Sequence, residues 1–272
     1  MKKITAFEAF SQAWNLFWKN PLQHLGVFLL INFVFFILVF ILSMVNLFFR
    51  VLIGANQGIF GNVNRFGNDF GDLQLSVTSM ILFIILIFVI EVIVQIVIYI
   101  GTLYLHGYVL DVVRNQYESL GKVFSRYIKV KTVLYYFVYS IIFSLTAFVL
   151  LIPLALVLLV VPTESMMISV LILWGLLMIY LAVRLMFVIF FLLDGYDFSD
   201  AIRLSWEKTK PYIGEILIMG ILTILLAIAG LLAFIVGIFF AIPIVYLAYA
   251  YFYNEAVVHS TSLVEDNTPL EQ

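Results

Sequence analysis

Two ionisable residues stand inside long apolar runs. Glu91 lies in a run from about Leu75 to Leu105, and Arg184 in another from about Met166 to Leu193. A charged group at mid-bilayer costs at least about 2.5–3.5 kcal/mol on insertion scales, so each of these needs a partner or water. Gln95 is one helical turn from Glu91 on the same face. Counted from the same end of their spans, Arg184 and Gln95 are equally deep and Glu91 is one turn deeper. The spacing therefore predicts a Glu91–Arg184 pair with Gln95 as an added acceptor. Such a trio can fix helix register, or it can hold a proton or a substrate. Arg184 snorkelling alone to the headgroups is the third reading.

Other candidates lie in polar segments. Asp194, Asp197 and Asp200 form an acidic elbow after the Arg184 run, continued by Ser205, Trp206 and Lys210. The elbow carboxylates are placed to cap a helix beginning near Ala201, where negative charge at an N-terminus is favourable; a partner or cation contact is the alternative. The histidines are His24, His106 and His259. A metal would need them to converge with carboxylates, and unrelated interface histidines are the simpler expectation. A loop from Arg50 to Gln74 holds three Phe-Gly-Asn/Asp triplets at Phe60, Phe66 and Phe70. It reads as a coil whose rings dip into the interface, with a cation at Asp69 and Asp72 as the alternative. The chain has no cysteine, which excludes disulfides, thiolate metal sites and cysteine nucleophiles. Neither a P-loop, a nucleotide fingerprint nor a zinc motif is present. No catalytic residue, metal or cofactor is expected, and the chain reads as a non-enzyme.

The elements that must carry these residues follow from composition. Hydrophobic residues make up 65% of the chain and charged residues 11%, against about 45–50% and about 25% in soluble domains. This is the composition of a polytopic, all-α membrane protein. A net charge of −2 gives nucleic acid no electrostatic footing. Six spans are expected: about His24–Phe49, Leu75–Leu105, Val133–Val161 with a bend at Pro153, Met166–Leu193, and two within Tyr212–Tyr253. That last run is about 60 Å of helix, twice a bilayer core of about 30 Å, and its break is expected near Ala229-Gly230. Ala229, Ala233, Gly237 and Ala241 recur four apart along it as a packing stripe. The first apolar run is too long for a signal-peptide core, so no cleavage is expected.

Three amphipathic segments precede three pairs of spans. Residues 4–19 carry a capping box at Thr5-Ala6-Phe7-Glu8, and Phe7, Phe10, Trp14 and Phe17 lie on one face. The second segment lies within His106–Lys131 and the third follows Asp194. The chain divides accordingly into 1–105, 106–193, 194–253 and a mobile acidic tail, 254–272, within one membrane domain. Lys and Arg concentrate in these segments and in the N-terminus, with only Arg50 and Arg65 on the other side. This places both termini on the cytosolic side.

Ala9-x-x-x-Ala13-Trp14 matches Ala201-x-x-x-Ser205-Trp206, and Gly121-x-x-x-Ser125 is a weaker middle copy, which suggests a threefold repeat. The stretch Val183-Arg184, a Phe-rich span, Asp194-Gly195, then Ala201-Ile202-Arg203-Leu204-Ser205-Trp206-x-x-Thr209-Lys210 resembles the membrane domain of bacterial glycerophosphodiester phosphodiesterases and the YciC-type inner-membrane proteins. Lys19-Asn20-Pro21 is similar to the turn that ends their first segment. The span after Arg184 lacks the proline those families carry, and these 272 residues hold no stretch expected to be a phosphodiesterase domain. The resemblance thus implies a membrane module without catalysis, in a bacterial cytoplasmic membrane. The expected function is a scaffold or accessory component, binding lipids or a protein partner at the cytosolic face. The alternative is a transporter of a lipid or other apolar substrate using Glu91 and Arg184. An interfacial enzyme built on Asp194, Asp197 or His106 is a third reading.

Overall fold

The structure, a computed structural model, describes residues 4–56, 77–160, 164–233 and 236–258. Among these the regular elements are helical: α1 (Ala6–Lys19), α2 (Pro21–Asn56), α3 (Val77–Val113), α4 (Leu120–Tyr127), α5 (Val130–Val160), α6 (Glu164–Leu185), α7 (Val188–Leu193), α8 (Phe198–Thr209), α9 (Ile213–Leu232) and α10 (Val236–Phe252). Six candidate spans are long and apolar enough to cross a bilayer. The protein is a multi-pass integral membrane protein. The Phe-Gly triplets, Asp69, Asp72, Arg65, the first two lysines and His259 fall outside the described residues.

The chain forms two compact units. One comprises Met1–Leu29 with Thr102–Gln272, the other Leu30–Gly101. In the second unit the middle of α2 and most of α3 present large apolar side chains outward, among them Phe33, Phe36, Phe40, Ile84 and Phe88. Outward apolar surface on this scale is stable against hydrocarbon, not against water.

In the first unit the short helices are pressed onto long ones. The α1 capping box forms as the sequence predicts: the Thr5 hydroxyl accepts from the Glu8 N–H at 3.2 Å, and the Thr5 N–H donates to the Glu8 carboxylate at 3.3 Å. A distant residue completes this end, because Glu215 at the start of α9 accepts from the Ala6 N–H at 2.8 Å. Ala6, Ala9, Ala13 and Phe17 are buried, and α1 packs mainly on α10 and along α9. Small residues at that spacing let the two backbones approach.

Several boundaries differ from the sequence expectation. The second span does not end at Leu105; α3 runs on to Val113 and buries Tyr108, Val109, Leu110 and Asp111. The fourth span is broken at Met186–Phe187 into α6 and α7 with no proline involved. The last run breaks one turn later than expected, at Ala233, which caps α9. Gly230 serves another purpose: a Cβ there would lie 2.9 Å from the Ile238 backbone nitrogen, so its bareness is what lets α9 and α10 meet. The small-residue stripe is accordingly divided, with Ala229 and Ala233 on one side of the break and Gly237 and Ala241 on the other. The tail is not mobile from its start, since Tyr253–Val258 forms a wide helical turn that buries Tyr253, Ala256 and Val257.

Candidate functional site

The most connected polar site of the first unit joins the ends of α3 and α7, and local sequence builds both ends the same way. After α3, Asn115 adopts φ 55°, its N–H donates to the Val112 carbonyl at 3.2 Å, and the Gln116 N–H donates to that of Asp111 at 2.8 Å. After α7, Gly195 adopts φ 90°, its N–H donates to Leu192 O at 3.1 Å, and the Tyr196 N–H donates to Phe191 O at 3.1 Å. Both are Schellman endings, in which a left-handed residue lets two N–H groups fold back on the last carbonyls. The apolar contact that accompanies such an ending is present in the second, where the Tyr196 and Phe191 rings sit 5.6 Å apart.

The two capping residues are Arg114 and Asp194, and they face each other. Arg114 donates to both Asp194 oxygens, at 2.7 and 2.9 Å, and its Nε donates to Asn254 at 3.1 Å. The Tyr253 hydroxyl donates to Asp194 at 2.7 Å. A carboxylate at a helix C-terminus opposes the helix dipole, and Arg114 offsets it. Burial works against the Arg114 charge, but the hydrogen bonds and charge of Asp194 outweigh it and raise its pKa above the ordinary value.

Beside it, buried Asp111 accepts from Arg126 at 2.5 Å and from the Tyr127 hydroxyl at 2.7 Å, tying α4 to α3. Burial, and then the Asp111 carboxylate, push the Tyr127 phenol up, so it stays a donor. Tyr127 lies against Gly107, where a Cβ would approach its ring to 2.5 Å. The buried face of α4 is Val123 and Tyr127, while Gly121 and Ser125, the small pair assigned to the middle copy of the repeat, are exposed.

At the α6–α7 break the Arg184 carbonyl accepts from the hydroxyls of Ser205 at 2.9 Å and Thr209 at 3.4 Å. Ala201, Ser205 and Thr209 are fully buried along one face of α8. The Ala-x-x-x-Ser-Trp motif thus has a mechanical meaning: its small face seats α8, and its hydroxyls take a carbonyl at the end of a helix. The buried Arg184 guanidinium lies 4.4 Å from the centre of the Trp206 ring and 6.0 Å from that of Tyr180, while its Nε and Nη1 have no hydrogen-bond partner among the described residues.

The Glu91–Arg184 pair predicted from the sequence would join residues of the two different units, and within its own unit Glu91 has other partners. In the second unit Glu91 accepts from Arg50 at 2.8 Å and from Asn46 at 3.2 Å, and Arg50 Nε donates to Asn46 at 2.5 Å. Gln95 is exposed and has no hydrogen-bond partner among the described residues. Arg50, assigned to a loop, belongs to α2. A cavity of about 230 Å³ adjoins the pair, lined by Ser43, Asn46, Leu47, Arg50, Glu91 and Val94.

The acidic elbow is divided, with Asp194 capping α7 and Asp197 and Asp200 at the N-cap and in the first turn of α8. Asp197 occupies the N-cap position of α8 without a side-chain capping bond and pairs with Lys131 at 2.6 Å. The hydrogen bond and charge of Lys131 hold its carboxyl below the ordinary range. Asp200 pairs with Arg203 at 3.1 Å. Lys210 opens a single tight turn between α8 and α9. Of the two described histidines, His24 Nδ1 is 2.7 Å from the Tyr108 hydroxyl, and His106 Nδ1 is 2.8 Å from the Thr102 carbonyl. Among the described residues no His/Cys/Asp/Glu group has the arrangement of a metal site.

The sequence reading missed Arg114, Asp111 and Asn46 as site residues. The signal for Arg114 was available: it and Asp194 end two spans at the same face, each followed by a residue suited to positive φ. Comparison with protein-family models, curated proteins and solved structures finds no match to this chain.

Proposed function

We propose that the protein is a non-enzymatic accessory or scaffold component of a bacterial cytoplasmic membrane, with both termini cytosolic. On this reading α1, α4 and α8 form an interfacial platform that binds lipid headgroups or a protein partner. The observation that carries it is the division of α1 and α8 into two faces. Their small residues are fully buried against the bundle, while Phe7, Trp14, Trp18 and Trp206 remain outward. Aromatic side chains held rigidly outward at a helix surface suit headgroup depth or a partner's groove. The similarity of the elbow motif to the membrane modules of the phosphodiesterase and YciC-type families, and a threefold repeat of elbow and span pair, belong to the same proposal.

The test is native mass spectrometry of the full chain extracted with its lipids. A stoichiometric protein partner, lost when Trp14 and Trp18 are changed to Ser while α1 stays folded, supports the platform. A partner that survives those changes, or a protein released always alone, removes it. Because the chain has no cysteine, single introduced cysteines and an impermeant thiol reagent report the side of each elbow; labelling from outside overturns the orientation.

The cavity at Arg50 and Glu91 favours a second reading, transport of a lipid or other apolar substrate, with Arg50 in the role first given to Arg184. Flux of a labelled lipid between leaflets of vesicles holding the protein, abolished in Glu91→Gln, would favour it over the platform.

A further inference from the structure

The cavity of the second unit has a charge arrangement that the pair beside it does not exhaust. Glu91 Oε1 receives both Arg50 Nη2 and Asn46 Nδ2, so Glu91 Oε2 has no hydrogen-bond partner among the described residues. Arg50 uses Nε and Nη2, which leaves Nη1 without one on the same basis. Ser43, on the cavity wall, is exposed. The site therefore offers a cationic donor, an anionic acceptor and a hydroxyl within one cavity of about 230 Å³. The Arg114–Asp194 pair differs, because both of its carboxylate oxygens are occupied.

Depth says what kind of molecule can reach it. Asn46 lies about 38 Å along α2 from Pro21, and Glu91 about 33 Å along α3 from Val113. Helices of this length cross a core of about 30 Å tilted, which puts the cluster at or inside the far boundary of the hydrocarbon. Around it Val45, Leu47, Phe48, Ile84 and Phe88 are exposed, so acyl chains have surface to lie on. Arg50 and Glu91 are themselves about half exposed, at 57% and 46% of their side-chain surface.

We propose that this cavity holds one zwitterionic aminophospholipid by its headgroup, the phosphate accepting from Arg50 and Ser43 and the primary ammonium donating to Glu91. Opposite charges on one ligand match the opposite charges left open on the wall. An anionic glycerol headgroup would bring Glu91 hydroxyl donors but no positive charge, so the charge-assisted bond is missing. A quaternary ammonium would bring charge but no N–H to donate. The proposal rests on the chain lying in a bilayer and is independent of the platform reading.

The full-length protein, reconstituted in equimolar phosphatidylethanolamine, phosphatidylcholine and phosphatidylglycerol, is released for native mass spectrometry. The wild type is expected to retain one phosphatidylethanolamine about tenfold over either other lipid, the scale of one charge-assisted hydrogen bond. Glu91→Gln should bring phosphatidylethanolamine down to the level of phosphatidylcholine and raise phosphatidylglycerol, because Arg50 is released. Arg50→Met should lose retention of all three. Ser43→Ala, outside the ion pair, should lower retention about threefold without moving thermal unfolding, which keeps the test alive if the charge variants misfold. Equal retention of the three lipids by the wild type overturns the proposal, as does an unchanged lipid order in folded Glu91→Gln. Displacement by millimolar glycerophosphoethanolamine would show a site for soluble solutes and overturn the lipid assignment. Failure to find a protein partner leaves this lipid order untouched, so the two readings fail separately.

Discussion

Arg114–Asp194 and Arg50–Glu91 are the same two functional groups in two settings. The first pair is bidentate, sits on two helix caps, and is 20% and 16% exposed; the second meets through one nitrogen and one oxygen and is 57% and 46% exposed. The caps supply Asp194 with Tyr253 and Arg114 with Asn254, so little of either charge remains to be answered. Among the described residues the helix-face pair has only Asn46 as support and keeps one open donor and one open acceptor. A pair whose lone pairs and protons are all taken holds structure together, and a pair that leaves some free can receive a ligand. The difference lies in the number of surrounding polar partners, not in residue type.

The sharpest way to break that comparison is Asp194→Ala. It strands the Arg114 charge and the Tyr253 hydroxyl in a partly buried site and should cost roughly 3 kcal/mol. Thermal unfolding in detergent reads it, and Arg114→Ala added to it should cost little more. A double variant that is worse by the full single-site amount would show that the caps act separately. Next in size, Gly107→Ala drives a Cβ into the Tyr127 ring and should cost about 1–3 kcal/mol while loosening α4. Faster hydrogen exchange confined to α4 and the end of α3 is the expected pattern, and unchanged exchange would mean that Tyr127 does not fix this joint. Ser205→Ala removes one of two hydroxyls on the Arg184 carbonyl and should cost about 1 kcal/mol. The larger loss belongs to Ser205→Ala with Thr209→Val.

Smaller effects sharpen the other side. Glu91→Gln should change unfolding by less than Asp194→Asn does, because the helix-face pair meets through one hydrogen bond and the capping pair through two. Equal losses would erase the distinction. Asp197 gives the smallest signal, with a definite sign. Its folded pKa lies below the ordinary value because of Lys131, so its contribution is present above about pH 4 and is lost as pH falls through the folded pKa. The wild type and Asp197→Asn should therefore differ slightly at pH 7 and converge in acid, where a difference that grew would contradict the pairing.

The case of Arg184 shows how far a sequence can carry such arguments. Its burial was legible, because an arginine in an apolar run has nowhere else to be. Its partner was not, because depth along a helix says nothing about which way the helix faces. Trp206 and the α8 hydroxyls were both in the motif, yet their roles as ring platform and as donors to the Arg184 carbonyl depend on α8 folding back against the end of α6. Asp197 and Asp200 do stand at the N-cap and in the first turn of α8; what the sequence could not show is that Asp197 bonds Lys131 and not a backbone N–H, while Asp200 takes Arg203 three residues on along the same helix.

The sequence by itself determined that the chain crosses a membrane, since 65% hydrophobic residues in runs of span length have no other stable place. It also determined where short amphipathic helices interrupt the spans, because Thr5, Pro21, Asn115 and Gly195 impose local geometry whatever surrounds them. Only the tertiary structure decided which charges meet. Backbone geometry is set by neighbours in the chain, whereas an ion pair is set by a few ångströms between helices, and a rotation of one helix about its axis would give every buried charge a different partner.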